Sequence, residues 1–183
     1  MPESMLEYMN RHLELEEESE KLCQLPADFY SKTASYARNL RRASNPSNSE
    51  ITNRLIARQS TMIRGMVRRL ATLRARKAVE QGSLSQLLPE ERHVCSLEEG
   101  YEGRLEEFIG AVSTGQSSYI ELAHRREMNR NVVLRFIKPV SELMGADLRR
   151  YGPFKPNDLA SLPAANADIL VANEEAVVVR SRG

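Results

Sequence analysis

The sequence has few cysteines, no long apolar run and no excess of charge of either sign, and each shortage excludes some classes of protein. Its two cysteines, Cys23 and Cys95, are too few for the disulfide framework of a small secreted scaffold. We therefore expect reduced thiols in an intracellular protein, with a single disulfide between them left open. No apolar stretch approaches the roughly 20 residues that span a bilayer. The formal net charge of +1 gives the whole chain no general attraction to nucleic acid or membranes.

The common local motifs of enzymes are also missing. There is no phosphate-binding G-x-x-x-x-G-K loop, no dinucleotide fingerprint and no G-x-S-x-G turn. His93 and Cys95 do not supply the four ligands that a zinc site needs. The sequence therefore predicts a non-enzymatic protein with no cofactor, no metal and no membrane partner. Residues 1–10 lack the basic-then-apolar pattern of a signal peptide, so we expect a cytoplasmic location.

What is present is helical periodicity, followed by a change of character near residue 131. Apolar residues recur at helical spacing through the first two-thirds of the chain, as at Met5, Met9 and Leu13. The β-branched run 132–137 predicts a strand, and the segments 169–171 and 176–179 predict a terminal hairpin. The predicted fold class is mainly α: a helical-bundle domain over residues 1–130, then a small β-rich C-terminal domain over 131–183.

A long arginine-rich helix is predicted over residues 50–81. Ser47 and Glu50 have the spacing of a capping box at its start, and apolar residues keep a helical period from Ile51 to Leu73. A helix of about 30 residues is long for so small a domain. We therefore expect part of it to pack against another subunit.

The arginines of this helix allow three kinds of contact. They suit DNA phosphates, the acidic first helix, or the acidic face of a neighbouring subunit, because guanidinium groups pair well with carboxylates. The near-neutral net charge favours carboxylate pairing over DNA, and the helix has no aromatic residue for stacking on single strands. The candidate subunit or DNA contacts are Arg64, Arg68, Arg69, Arg74 and Arg76.

Two short stretches carry more specific patterns. The first is Leu25, Pro26, Asp28, Phe29 and Tyr30, in the segment LPADFY at the start of the predicted second helix. The second is Tyr151, Gly152, Pro153, Phe154, Asp158, Leu162 and Pro163, in the pattern YGPF-x-x-x-D-x-x-x-LP. Its glycine and prolines predict tight turns, and Phe154, Leu159 and Leu162 are predicted to fill a small core. Together these stretches resemble the GINS family of DNA-replication proteins.

The resemblance implies the archaeal class of subunit in which a helical A domain precedes a small B domain. It implies a tetramer formed with itself or with a sister GINS subunit, and the sequence leaves that choice open. It also implies a scaffold that joins the MCM helicase to a Cdc45/RecJ-like protein and supports unwinding at the replication fork of an archaeal cell. The family brings no catalytic residues.

One alternative from another class remains beside this interpretation. The chain would then be a free-standing nucleic-acid-binding helical protein that uses the arginine-rich helix 50–81. Salt distinguishes the two, because phosphate binding weakens steeply with salt, whereas an apolar subunit interface persists.

Overall fold

The chain folds as two compact units of different character. A computed structural model describes residues 4–82, 84–95 and 101–179. The units are Met1–His124, here called the helical unit, and Arg125–Gly183, here called the β unit. A helical first part and a small strand-containing C-terminal part confirm the predicted fold class.

The helical unit is built from amphipathic helices that bury one face each. Ser4 caps the first helix through a reciprocal capping box with Glu7. The six helices are α1 (Met5–Glu18), α2 (Phe29–Ala43), α3 (Glu50–Glu80), α4 (Pro89–Cys95), α5 (Tyr101–Thr114) and α6 (Ser117–Met128). The last of them runs across the division between the units, which falls after His124.

The long helix begins as expected, but its cap was predicted two residues too early. Ser49, not Ser47, is the N-cap, and its hydroxyl accepts a hydrogen bond from the Thr52 backbone N–H at 3.2 Å. The backbone N–H of Ser47 instead donates to the side chain of Asn45. Ser47 therefore belongs to the turn that precedes the helix. The next serine, Ser49, takes the N-cap position, and its hydroxyl binds a free backbone N–H of the first helical turn.

Aromatic side chains from α2 and α5 form the centre of the helical core. Tyr30 contacts Phe29 and Phe108 edge to face, with ring centroids 5.2 and 4.8 Å apart. Leu25, just before α2, is buried with them. Three of the five LPADFY positions therefore contribute to the core, while Pro26 is half-buried and Asp28 is exposed.

A glycine allows the α5–α6 turn to lie directly against α2. Gly115 has a φ of +77°, and a Cβ there would come within 2.6 Å of the Arg38 backbone nitrogen. The close approach lets Arg38 donate a hydrogen bond from Nε to the Gly115 carbonyl at 3.0 Å. No other residue fits both the backbone angle and the space.

The β unit is centred on a three-stranded antiparallel sheet. Its order is β4-β1-β5, so β1 is the middle strand. The elements are β1 (Asn131–Phe136), β2 (Leu143–Met144), β3 (Arg150–Tyr151), β4 (Leu159–Pro163), α7 (Ala164–Ala172) and β5 (Ala176–Val178). Leu134 faces Ala160 on one side and Val178 on the other, and with Phe136 and Leu162 it forms the buried core.

The predicted C-terminal hairpin is wrong. Residues 169–171 belong to α7, and β5 pairs with β1 instead. Ala164, Ala167 and Leu170 are the buried residues of α7, at the spacing of three that marks a helical face. A three-residue apolar run does not distinguish strand from helix, and here the alanine-rich segment around it decides for helix.

The YGPF stretch forms a turn that returns the chain to the core. Gly152 has a φ of +94°, which favours glycine. Phe154 is half-buried and stacks on Phe136 with centroids 4.1 Å apart and planes 15° apart. The Asp158 carboxylate accepts a hydrogen bond from the Lys155 backbone N–H at 2.7 Å, which closes the following turn.

One core expectation for this motif is wrong. Leu162 is fully buried, whereas Leu159 is 64% exposed. Leu159 lies opposite Arg135 on the solvent face of the sheet, because side chains alternate along a strand.

Replacing Phe154 with alanine should destabilise the β unit by about 1–3 kcal/mol, less than the loss of a fully buried ring, because Phe154 is only half-buried. Hydrogen exchange of the β1 amides in the full chain, followed by mass spectrometry, measures the change. Leu159→Ala is the matched control and should alter exchange little. Equal effects of the two substitutions would contradict the packing described here.

Candidate assembly site

Four of the five candidate arginines of α3 lie at the surface and pair with carboxylates of the same chain. Arg64 and Arg68 both bind Glu106 of α5. Arg69 binds Glu17 of α1, and Arg76 lies 3.7 Å from Glu80 one turn along its own helix. Intramolecular pairing with the acidic first helix, one of the three contacts considered from sequence, is therefore present at Arg69.

The fifth candidate, Arg74, is not a surface residue, and its expected contact with DNA or another subunit is wrong. Its side chain is 0% exposed. Nη1 lies 2.7 Å from Glu16 Oε2, and Nε lies 2.8 Å from Glu91 Oε1. The same Nη1 donates to the Cys23 carbonyl at 2.8 Å. A guanidinium with buried carboxylates on two sides cannot reach an external partner.

Arg74 belongs to a buried cluster that also includes Glu16, Lys77, Glu91 and Tyr30. Lys77 Nζ lies 2.9 Å from Glu16 Oε1, and the Tyr30 hydroxyl donates to Glu91 Oε1 at 2.7 Å. Burial, and then the charge of Glu91, raises the pKa of Tyr30 well above its ordinary value, so it remains a neutral donor. Two cations balance two carboxylates, and the cluster joins α1, α2, α3 and α4.

Sequence reasoning missed Glu16, Lys77 and Glu91 as members of this cluster. A signal for Glu16 was present: it follows Met9 and Leu13 at the i, i+4, i+7 positions of the buried face of α1. Lys77 likewise follows Leu70 at i+7 on α3. Charged residues in phase with an apolar stripe indicate buried ion pairs.

The first half of α3 exposes apolar side chains. Over residues 50–62 no side chain is buried, whereas buried positions begin at Ile63. Ile51, Leu55 and Met62 are 72%, 58% and 47% exposed, and their i, i+4, i+11 spacing puts them on one face. We call these three residues the α3 stripe. An exposed apolar row of this kind is typical of a protein–protein contact.

The β unit exposes a second apolar surface. Val133, Ile137, Leu159 and Val179 are all exposed. The alternation of β1, in which Leu134 is buried, and the backbone bond from Val179 N–H to the Val133 carbonyl place them on the outer side of the sheet. We call these four residues the outer sheet face; the exposed Arg135 lies on the same side, opposite Leu159. Next to it, β5 is an edge strand of the sheet, and an edge strand can pair with another chain unless it is covered.

The thiols and metal-ligand side chains give no reactive centre in the part of the chain that the structure describes. Cys23 and Cys95 are free thiols. Burial raises the pKa of Cys95 to about 11, which keeps it protonated at neutral pH. Among residues 4–82, 84–95 and 101–179, no group of three or more histidine, cysteine or acidic side chains could hold a metal ion. Across these ranges, no helix is long and apolar enough to cross a bilayer.

The fold is a helical bundle followed by a small antiparallel β unit, with apolar residues exposed on both. Residues 132–179 match the family model described as Gins51, C-terminal domain. The resemblance to the GINS family seen in the sequence is confirmed over this range, which is 48 of the 183 residues. A search of curated proteins returned no match.

The family match supports a general role in the GINS replication complex. The matched range lies within the β unit and includes all seven YGPF-pattern residues. It does not extend into the helical unit.

Replacing Arg74 with methionine should destabilise the helical unit by about 3–5 kcal/mol, because Glu91 would remain buried without a cation and Glu16 would keep only Lys77. Urea unfolding followed by far-UV circular dichroism measures the loss. The matched control is Arg69→Met, whose side chain is 68% exposed and whose loss should cost at most about 1 kcal/mol. Similar losses for both variants would show that the buried cluster is not what distinguishes Arg74.

Proposed function

We propose that this chain is a non-enzymatic scaffold subunit of GINS that links the MCM helicase to a Cdc45/RecJ-like protein and supports unwinding at the fork. The observation that carries the proposal is the match of residues 132–179 to a GINS C-terminal domain. The exposed apolar surfaces on both units support it, because a scaffold must contact several partners. We place the protein in the cytoplasm of an archaeal cell.

In this proposal the helical domain, residues 1–130, forms the assembly core. Its arginines at 64, 68, 69 and 76 each lie beside a carboxylate of the same chain, with Glu106 shared by Arg64 and Arg68, so we propose an apolar contact as the main driving force for association. The α3 stripe is the subunit contact that we assign to this domain. The resulting tetramer contains either four copies of this chain or copies paired with a sister GINS subunit.

The β domain, residues 131–183, is then the part that contacts the helicase machinery. Its outer sheet face and the free edge of β5 lie side by side, since Val179 bonds to Val133 directly after β5. An apolar face beside a strand edge can bind a partner both by side-chain burial and by backbone hydrogen bonds. We propose that either the MCM ring or the Cdc45/RecJ-like protein docks there.

The alternative of a free-standing nucleic-acid-binding protein loses its main support. It relied on the arginines of the 50–81 helix, with Arg64, Arg68, Arg69, Arg74 and Arg76 as the candidate contacts. In the structure Arg74 is buried, and Arg64, Arg68, Arg69 and Arg76 each lie beside a carboxylate.

Leu55→Asp should dissociate the tetramer, because a charge in the centre of the α3 stripe would have to be desolvated at the subunit contact. Multi-angle light scattering at micromolar concentration should give about four times 20.7 kDa for the parent chain and a smaller mass for the variant. Val79→Asp makes the same change at a 73% exposed position outside the stripe and should keep the parent mass. A parent chain that stays monomeric both alone and mixed with a sister GINS subunit, or a tetrameric Leu55→Asp variant, would refute the assignment.

A chain truncated after Arg130 should keep its oligomeric mass but no longer stimulate MCM unwinding of a forked substrate. In the full chain, Leu159→Asp on the outer sheet face should reduce stimulation, while Val171→Asp on α7 should not. Both measurements use purified MCM with and without the Cdc45/RecJ-like partner. Full stimulation by the truncated chain would show that the two domains have been given the wrong tasks.

A further inference from the structure

The connection between α2 and α3 concentrates positive charge. Residues 38–54 contain four arginines and a single carboxylate, Glu50, so this segment carries a net charge of +3. We call Arg41, Arg42, Arg54 and the loop 44–49 the α2–α3 tip. The whole chain has a net charge of only +1, so the charge of the tip is a local feature.

The fold brings these arginines to one end of the helical unit. The Asn48 side chain donates to the Ala43 carbonyl at 2.7 Å, and the Asn53 side chain donates to the Asn45 carbonyl at 3.0 Å. These bonds close the loop across the end of α2 and the start of α3. Arg41 and Arg42 lie in the last turn of α2, and Arg54 lies in the second turn of α3.

The charge of the tip is not neutralised by the described residues. Neither Arg41 nor Arg42 forms an ion pair with any of them, and both side chains are exposed. Arg54 pairs only with Glu50 at 2.9 Å, and both side chains are 79% exposed. An exposed pair of this kind contributes little and exchanges readily for a stronger anion. By contrast, Arg64, Arg68 and Arg69 are bound to carboxylates of α5 and α1.

The chemistry of the loop indicates the kind of anion. Residues 44–49 are serines, asparagines and one proline, and five of the six are exposed. Hydroxyl and amide groups next to arginines are common contacts of DNA phosphates. The loop has no apolar side chain of the kind that anchors a protein partner, and residues 38–54 contain no aromatic side chain on which a base could stack.

We infer that the α2–α3 tip binds the phosphate backbone of duplex DNA, without regard to sequence. This inference rests on the proposed function only to bring DNA within reach, since a subunit that acts at the replication fork meets duplex DNA. It assigns DNA contact to Arg41, Arg42 and Arg54 rather than to the paired arginines of the second half of α3. Arg58 lies on the same face as the α3 stripe and is not part of the site.

The test measures binding of a fluorescein-labelled 30-base-pair duplex by anisotropy over a range of salt concentrations. The triple variant R41A/R42A/R54A should weaken binding at least about tenfold at low salt, and the slope of log K against log salt should fall by about 2–3, near 0.9 for each lost phosphate contact. The matched control R64A/R68A/R69A removes the same charge from paired positions and should keep most of the affinity and the slope.

Three outcomes would overturn the inference. They are equal losses in the two triple variants, absence of salt-dependent binding by the parent chain, and tighter binding of poly-glutamate than of DNA at matched charge. The last would identify an acidic polypeptide as the partner. Light scattering on the same samples separates this inference from the proposed assembly: absence of DNA binding by an intact parent tetramer refutes only the tip, and DNA binding by a monomeric parent refutes only the tetramer.

Discussion

The Arg74 guanidinium lies where no water reaches it, and it can stay charged there only while Glu16 and Glu91 hold it from both sides. The packing of α1 and α4 keeps those two carboxylates in place. Glu16 reaches the site because Met9 and Leu13 bury the same face of α1, and Glu91 does so because α4 packs against α3. One ionic contact thus fixes where the helices must lie relative to α3.

This constraint divides α3 into two parts with different surroundings. The second half is enclosed by α1, α4 and α5, and its surface arginines are bound to Glu17 and Glu106. The first half extends past the buried residues and exposes the α3 stripe and, at its start, the α2–α3 tip. The surfaces that we assign to subunits and to DNA therefore belong to the half of the helix that the ionic cluster does not hold.

The sequence predicted the features that depend on neighbouring residues and missed those that depend on distant ones. The 3.6-residue period located α2 and α3, and the YGPF pattern located the turn that stacks Phe154 on Phe136. The period places Arg74 in phase with the buried Ile63 and Leu70, but it could not show that the partner is Glu16, 58 residues away. The short apolar run in α7 failed for another reason: three apolar residues do not distinguish strand from helix, and the alanine-rich segment around them favours helix.

The balance of two cations and two carboxylates in the buried cluster also limits how this protein can evolve. Replacing only a cationic or only an anionic side chain leaves an uncompensated charge in the core. Arg74, Lys77, Glu16 and Glu91 therefore cannot be replaced one at a time during evolution. A lineage can abandon the cluster only by exchanging several of these residues for apolar ones together. Relatives of this chain should therefore fall into two groups: those that retain all four charged residues and those in which all four are replaced by apolar residues.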